Sequence, residues 1–167
     1  DAPGFLHNLL SQKLDDVTTG FAAGALDLDM QGHVLHHMDL VVSDDTFYLD
    51  VPSQQFDSLK DFLSKMVFWS EVTVEEADLA VITVLGTALP APTTTVSERT
   101  VFWPGCPRQD LLVPRAELEA AVAELESHGG TLAGLMAFTA ERVKAREPEL
   151  AADLDAKAIA HEVPHWI

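Results

Sequence analysis

Apolar positions in the first third of the chain fall into runs of strand length broken by short polar stretches. From Ala22 to Asp50 the pattern reads as three strands, with Met30-Gln31-Gly32 and Ser43-Asp44-Asp45 as the turns between them. Gly32 supplies the positive φ that such a turn needs, and the Ser-Asp-Asp cluster supplies side chains that bond their own backbone. Upstream, Phe5, Leu6, Leu9, Leu10 and Leu14 recur at helical spacing and predict an amphipathic helix over about residues 4–15, ended by Thr18-Thr19-Gly20. Downstream, Phe56, Leu59, Phe62, Leu63 and Met66 predict a second helix opening at Pro52-Ser53, its stripe turned to the core.

Beyond that helix the period changes. Glu71-Val72-Thr73-Val74-Glu75 alternates like a half-buried strand, and Leu79 to Leu85 is a continuous apolar run of the kind buried on both faces. Residues 88–98, with Pro90-Ala91-Pro92-Thr93-Thr94-Thr95, read as an exposed Pro/Thr-rich loop with little to bury. Strands are expected at Arg99 to Trp103 and Asp110 to Val113. A helix should follow Pro114, with Leu118, Ala121, Val122 and Leu125 inward and Gly129-Gly130 closing it. A last helix is expected from about Thr131, as its cap, to Arg146, carrying Leu132, Leu135, Met136 and Val143 and halted before Pro148. The clearest strands are linked by hairpins and no regular βαβ alternation is present. The fold class is therefore α+β, a mixed, largely antiparallel sheet with packed helices.

With 167 residues and nearly half of them apolar, the chain suits one core of ordinary size. No apolar run reaches the roughly 18 residues of a membrane span and no charged-then-apolar leader opens the chain, so a cytoplasmic protein is the simplest reading. The net charge of −17 is spread along the chain, and a surface of that sign repels phosphate backbones and anionic lipid. Direct nucleic-acid and membrane partners are discounted. The lone Cys106, in Trp103-Pro104-Gly105-Cys106-Pro107, excludes an internal disulfide and reads as a loop residue without a base to activate it.

Seven histidines invite a metal hypothesis, above all His33, His36 and His37. Successive strand side chains face opposite ways, so His36 and His37 cannot share an ion, and His33 lies about 13 Å from His37 at roughly 3.3 Å per residue. His161 and His165 flank Glu162 without helical spacing. No metal site is expected from either group. No nucleophile elbow, phosphate loop or dinucleotide fingerprint is present, so no catalytic residue is assigned.

The order of Gln12-Lys13-Leu14-Asp15-Asp16-Val17, Asp29-Met30-Gln31-Gly32-His33-Val34, Asp44-Asp45-Thr46-Phe47-Tyr48-Leu49 and Lys65-Met66-Val67-Phe68-Trp69-Ser70-Glu71-Val72 resembles the YgfZ family of folate-binding proteins. These are relatives of the glycine-cleavage T-protein, an aminomethyltransferase. The resemblance covers roughly the first 85 residues and, more loosely, Ala158 to Val163. It implies that residues 1–167 form a folate-binding N-terminal region. The absence of an initiator methionine before Asp1-Ala2-Pro3 and of a Lys-Gly-Cys-Tyr-x-Gly-Gln-Glu signature make that region an incomplete one.

By the same resemblance the cofactor is tetrahydrofolate, held in a cleft between domains. Gln12, Asp16, Asp29 and Gly32 match family positions, the acids serving either as helix-end and turn-closing groups or as cleft lining. His36 and His37 stand where aminomethyltransferases carry an Asp-Asp pair, one aspartate of which lies beside the reactive nitrogen of tetrahydrofolate. An imidazole cannot take over that carboxylate's work unchanged. Lys144 stands where the family often has the acid of Glu-Ala-Gly, which bonds the pterin. The resemblance thus implies a folate-binding accessory protein linked to iron–sulfur cluster assembly or repair and, through iron–sulfur enzymes, to tRNA modification. A folate-dependent aminomethyltransferase or demethylase and a degenerate protein-interaction module are the alternatives.

Overall fold

In the computed structural model, which describes residues 2–166, the chain divides into two compact units where its length suggests one core. One unit holds the chain up to Glu76 and again from Glu149, and the other holds Ala77–Pro148. The side chain of His165 lies outside the described residues. Both sheets are antiparallel and carry packed helices, so the α+β architecture read from the sequence is the observed one. Among the described residues no helix is long and apolar enough to cross a membrane.

In the first unit, α1 (Ala2–His7) precedes a meander of β1 (Ala22–Leu28), β2 (Val34–Ser43) and β3 (Thr46–Asp50), and α2 (Ser53–Met66) follows. The first helix is shorter than its apolar spacing predicts. After His7 the backbone turns to meet β1, where the Ser11 N–H donates to the Leu26 carbonyl and the Leu26 N–H to Ser11 Oγ, both at 2.9 Å. Leu10 and Leu14 are still buried, together with Phe5, Leu6, Ala25, Met38, Leu40, Leu59 and Leu63. The stripe was therefore a core stripe, served partly by irregular chain. The predicted strand at residues 71–75 keeps its alternation, with Val72 and Val74 packed on this core, but no strand pairs with it.

The C-terminal stretch covers another part of the meander. Ile159 bridges to His33, the Val34 N–H donates to the Ala158 carbonyl at 2.8 Å, and Val163 and Trp166 are buried with Leu26 and Val34.

In the second unit, β4 (Leu79–Leu85), β5 (Ser97–Val101) and β6 (Arg108–Pro114) lie in the order β4-β6-β5. The run at 79–85 was expected to be fully buried, yet it is an edge strand and mostly half-buried. The central strand is β6, with Leu111, Leu112 and Val113 inside. Strand β5 stops before Phe102, which is exposed, while Trp103 turns inward. Residues 88–98 are less free than their composition suggests. Pro92 is buried, the Leu89 N–H donates to Gln109 Oε1, and both the N–H and hydroxyl of Thr93 donate to Glu124 Oε2.

A 3₁₀ turn at Arg115–Glu117 leads from Pro114 into α3 (Leu118–Ser127), which buries Ala121 and Leu125 as its spacing predicts. The Gly130 N–H then donates to the Leu125 carbonyl, and a Cβ on Gly130 would meet that oxygen at 2.9 Å, so only glycine closes the helix this way. The last helix, α4 (Leu135–Ala145), starts after Gly134 with no side-chain cap, and not at Thr131. The apolar residues expected on it, Leu132, Leu135, Met136 and Val143, are exposed, Leu132 lies ahead of it, and the residue it buries is Arg142. A helical period shows which residues share a face. It does not say that a partner covers that face.

Candidate functional site

The β1–β2 hairpin carries most of the residues singled out by sequence. Asp29 closes its turn: Oδ1 accepts the N–H groups of Gln31 and His33, each at 2.8 Å, and Oδ2 lies 2.8 Å from His33 Nδ1. Bonding to the His33 ring and to these N–H groups holds the Asp29 carboxyl below its ordinary range. Gly32 has a φ of +85° and donates its N–H to the Asp29 carbonyl, the left-handed position the turn requires. Between the two readings of Asp29, the geometry is that of a turn-closing acid.

Farther along β2 the two histidines separate by face, as strand alternation demands. His36 is buried, its Nδ1 2.8 Å from Asp27 Oδ2 and its Nε2 2.8 Å from Ser58 Oγ on α2. The ring of His37 stacks on Trp166 with centroids 3.6 Å apart and planes 9° from parallel, and its backbone N–H donates to Gln55 Oε1. Gly24 lies beneath this stack, where a Cβ would sit 3.4 Å from His37 Nε2 and 3.7 Å from Trp166.

The remaining two residues stand elsewhere. Asp16 is exposed and bonded to Lys13 Nζ at 2.7 Å, which holds its carboxyl low. Lys144, in the last turn of α4, is exposed and donates to Glu141 Oε1 at 2.6 Å, a bond that raises its amine. Asp29 and Gly32 are thus brought into one turn, and His36 and His37 onto one strand with their rings on opposite faces. Asp16 lies in an exposed connection, and Lys144 belongs to the other unit.

The groups that hold these histidines carry little signal in the sequence. Asp27 is opposite His36 only because the register slips between Leu28 and Asp27; counting outward from the turn pairs Asp27 with Leu35 instead. Gln55 sits one helical turn before Leu59, a polar residue on an apolar stripe, and that was the available signal for its burial. Ser58 gave none.

The second unit holds another buried polar cluster, with no motif to mark it in the sequence. Asp110, fully buried on β6, is opposite Thr83 on β4 and Arg99 on β5. Its Oδ1 accepts from Thr83 Oγ1 at 2.8 Å and Arg108 Nε at 3.0 Å, and its Oδ2 from Arg108 Nη2 at 2.6 Å and Arg99 Nη2 at 3.0 Å. Burial pushes the Asp110 carboxyl up, but bonding to Arg108 and the charges of both guanidiniums outweigh it, so the group stays below the ordinary value of 3.8. The Arg108 guanidinium also lies over the Trp103 ring, 5.0 Å from its centroid.

No protein-family model and no curated protein matches this chain. Among solved structures, the crystal structure of the glycine cleavage system aminomethyltransferase T from Bartonella henselae matches with a TM-score of 0.60 and 15% identity. The match covers 74% of this chain but only 39% of that one, so the chain spans well under half the length of the structure it resembles. At that identity the likeness is one of fold: this chain has an aminomethyltransferase T-like fold.

Proposed function

We propose that the protein is a tetrahydrofolate-binding accessory factor of the YgfZ type, acting in the assembly or repair of iron–sulfur clusters and not in aminomethyl transfer. The observation that carries this reading is the aminomethyltransferase T-like fold, found in a chain whose first 85 or so residues resemble the YgfZ motifs in order and spacing. Replacement of the Asp-Asp pair by His36 and His37 supports loss of transfer, because Asp27 and Ser58 hold the His36 ring and Trp166 stacks on the His37 ring.

The side chains matched to the family fit a pterin unevenly. A pterin presents N–H donors along one edge and two flat faces. Asp29 is bonded within its own turn, Asp16 to Lys13, and Lys144 brings further donors, so these three do not form a receptor for that edge. The His37 ring already stacks on the buried Trp166, so that face is occupied within the protein. Folate binding by this chain therefore calls for contacts different from those of the transferase.

The test is titration of the protein's tryptophan fluorescence with folinic acid. The reading expects a saturable change, and none if folate is not a ligand. A second reading, a protein-interaction module, is favoured by a specific observation: in the second unit Leu132, Leu135 and Met136, close together along the chain, are all at least 70% exposed.

A further inference from the structure

We propose that Ser58 is an activated nucleophile, with His36 as its base and Asp27 as the group that orients the base, and that it accepts acyl groups from activated esters or thioesters. The three side chains are joined in series by contacts of 2.8 Å, Ser58 Oγ to His36 Nε2 and His36 Nδ1 to Asp27 Oδ2. A carboxylate can only accept, so Asp27 fixes the neutral imidazole with its proton on Nδ1 and leaves the Nε2 lone pair aimed at the serine hydroxyl. The burial is graded in the sense that such chemistry needs. Asp27 is 2% and His36 8% exposed, whereas Ser58 lies on the open side of α2. The hydroxyl proton has a second acceptor in the Gln55 carbonyl at 3.0 Å. The base therefore shares the hydroxyl with a helix carbonyl, at 2.8 Å against 3.0 Å.

A merely structural role accounts for Asp27 holding His36, since a buried imidazole must have its nitrogens bonded. It does not require that the outer partner be a primary alcohol open to solvent. The triad arrangement is recognised by geometry and roles on unrelated folds, which is the ground for reading it here.

The step balances without a further reactant. Oγ bonds to the acyl carbon as its proton passes to Nε2, the carbon–oxygen or carbon–sulfur bond of the donor breaks, and the leaving alcohol or thiol takes the proton from Nε2. Water then repeats the sequence and releases the acid. Ser58 is past the first turn of α2, where backbone N–H groups are already used by the helix and cannot hold an oxyanion. Reaction is thereby confined to donors with good leaving groups. Exposed Asp57 and Asp61 beside Ser58 disfavour anionic ones.

A fluorophosphonate probe followed by peptide mass spectrometry tests this on the intact protein. Ser58 should carry the phosphonyl group, Ser58→Ala should carry none, and labelling should slow about 100-fold or more in His36→Gln. Because His36 is buried and its variant can fail to fold, Ser58→Cys gives an independent reading. Iodoacetamide at pH 6 should alkylate the introduced thiol at least about 10-fold faster than Cys106 in the same molecules, since a neighbouring imidazole raises the thiolate fraction. An unmodified Ser58 in folded protein, or an introduced thiol no faster than Cys106, overturns the proposal. Folinic acid binding is read separately, so either idea can fail without the other.

Discussion

Each unit of this molecule buries an acid within its sheet, and the two acids have different company. Asp27 in the meander faces one imidazole, whereas Asp110 in the second unit is bonded by two guanidiniums and a threonine hydroxyl. Histidine changes its charge near neutrality and arginine never does. The Asp110 cluster is fixed at every pH a cell offers and fastens three strands together. The Asp27–His36–Ser58 line is built around an imidazole instead. Chemistry should therefore belong to the first unit, and the second unit's buried charge to stability.

That contrast can be broken most forcefully at Asp110. Asp110→Ala leaves two largely buried guanidiniums without their shared carboxylate, and a loss of about 3–5 kcal/mol is expected in urea unfolding. A loss below about 1 kcal/mol would mean that the cluster is no fastener. In the first unit, Leu40→Ala should cost about 2–5 kcal/mol by the same measurement, through the cavity it opens beneath the meander.

Acid sharpens the comparison further. The folded-state carboxyl of Asp110 lies below its ordinary 3.8, so its stabilising contribution is complete above that value. As pH falls, the unfolded chain takes up the proton first and the contribution is lost through the lowered folded value. The stability gap between the native protein and Asp110→Asn should thus be constant from pH 7 to about 5 and narrow by pH 3. A gap unchanged at pH 3 would remove Asp110 from the account. The smallest effect is expected at Lys144, whose bond to Glu141 is exposed on α4: Lys144→Ala should move stability by less than about 0.5 kcal/mol. A larger change would show that the exposed end of α4 carries load the structure does not display.

The parts legible in the sequence were those in which local pattern and burial coincide. The meander could be read because its apolar runs, Gly32 and the Ser43-Asp44-Asp45 turn all demand the same geometry, and α2 because Leu59 and Leu63 do meet a core. At α4 the same periodicity misled, since Leu135, Met136 and Val143 share spacing with no neighbour to cover them, and what the helix buries is Arg142. The run at 79–85 reads as a central strand by composition, while its place at the sheet edge depends on β6 entering between β4 and β5. Arg99 and Asp110 are opposite each other only once that pairing is known. Neither partner of His36 was legible: a slip between Leu28 and Asp27 moves the pairing one residue off the count from the turn, and Ser58 needs the packing of α2 on the sheet.

The proposed function is folate binding without aminomethyl transfer, by a chain of aminomethyltransferase T-like fold. Calorimetric titration of the protein with folinic acid, paired with an assay for methylenetetrahydrofolate formation from an aminomethyl donor, tests both halves at once. The account predicts saturable heat and no product. A flat titration, or product formed at an enzymatic rate, would contradict it.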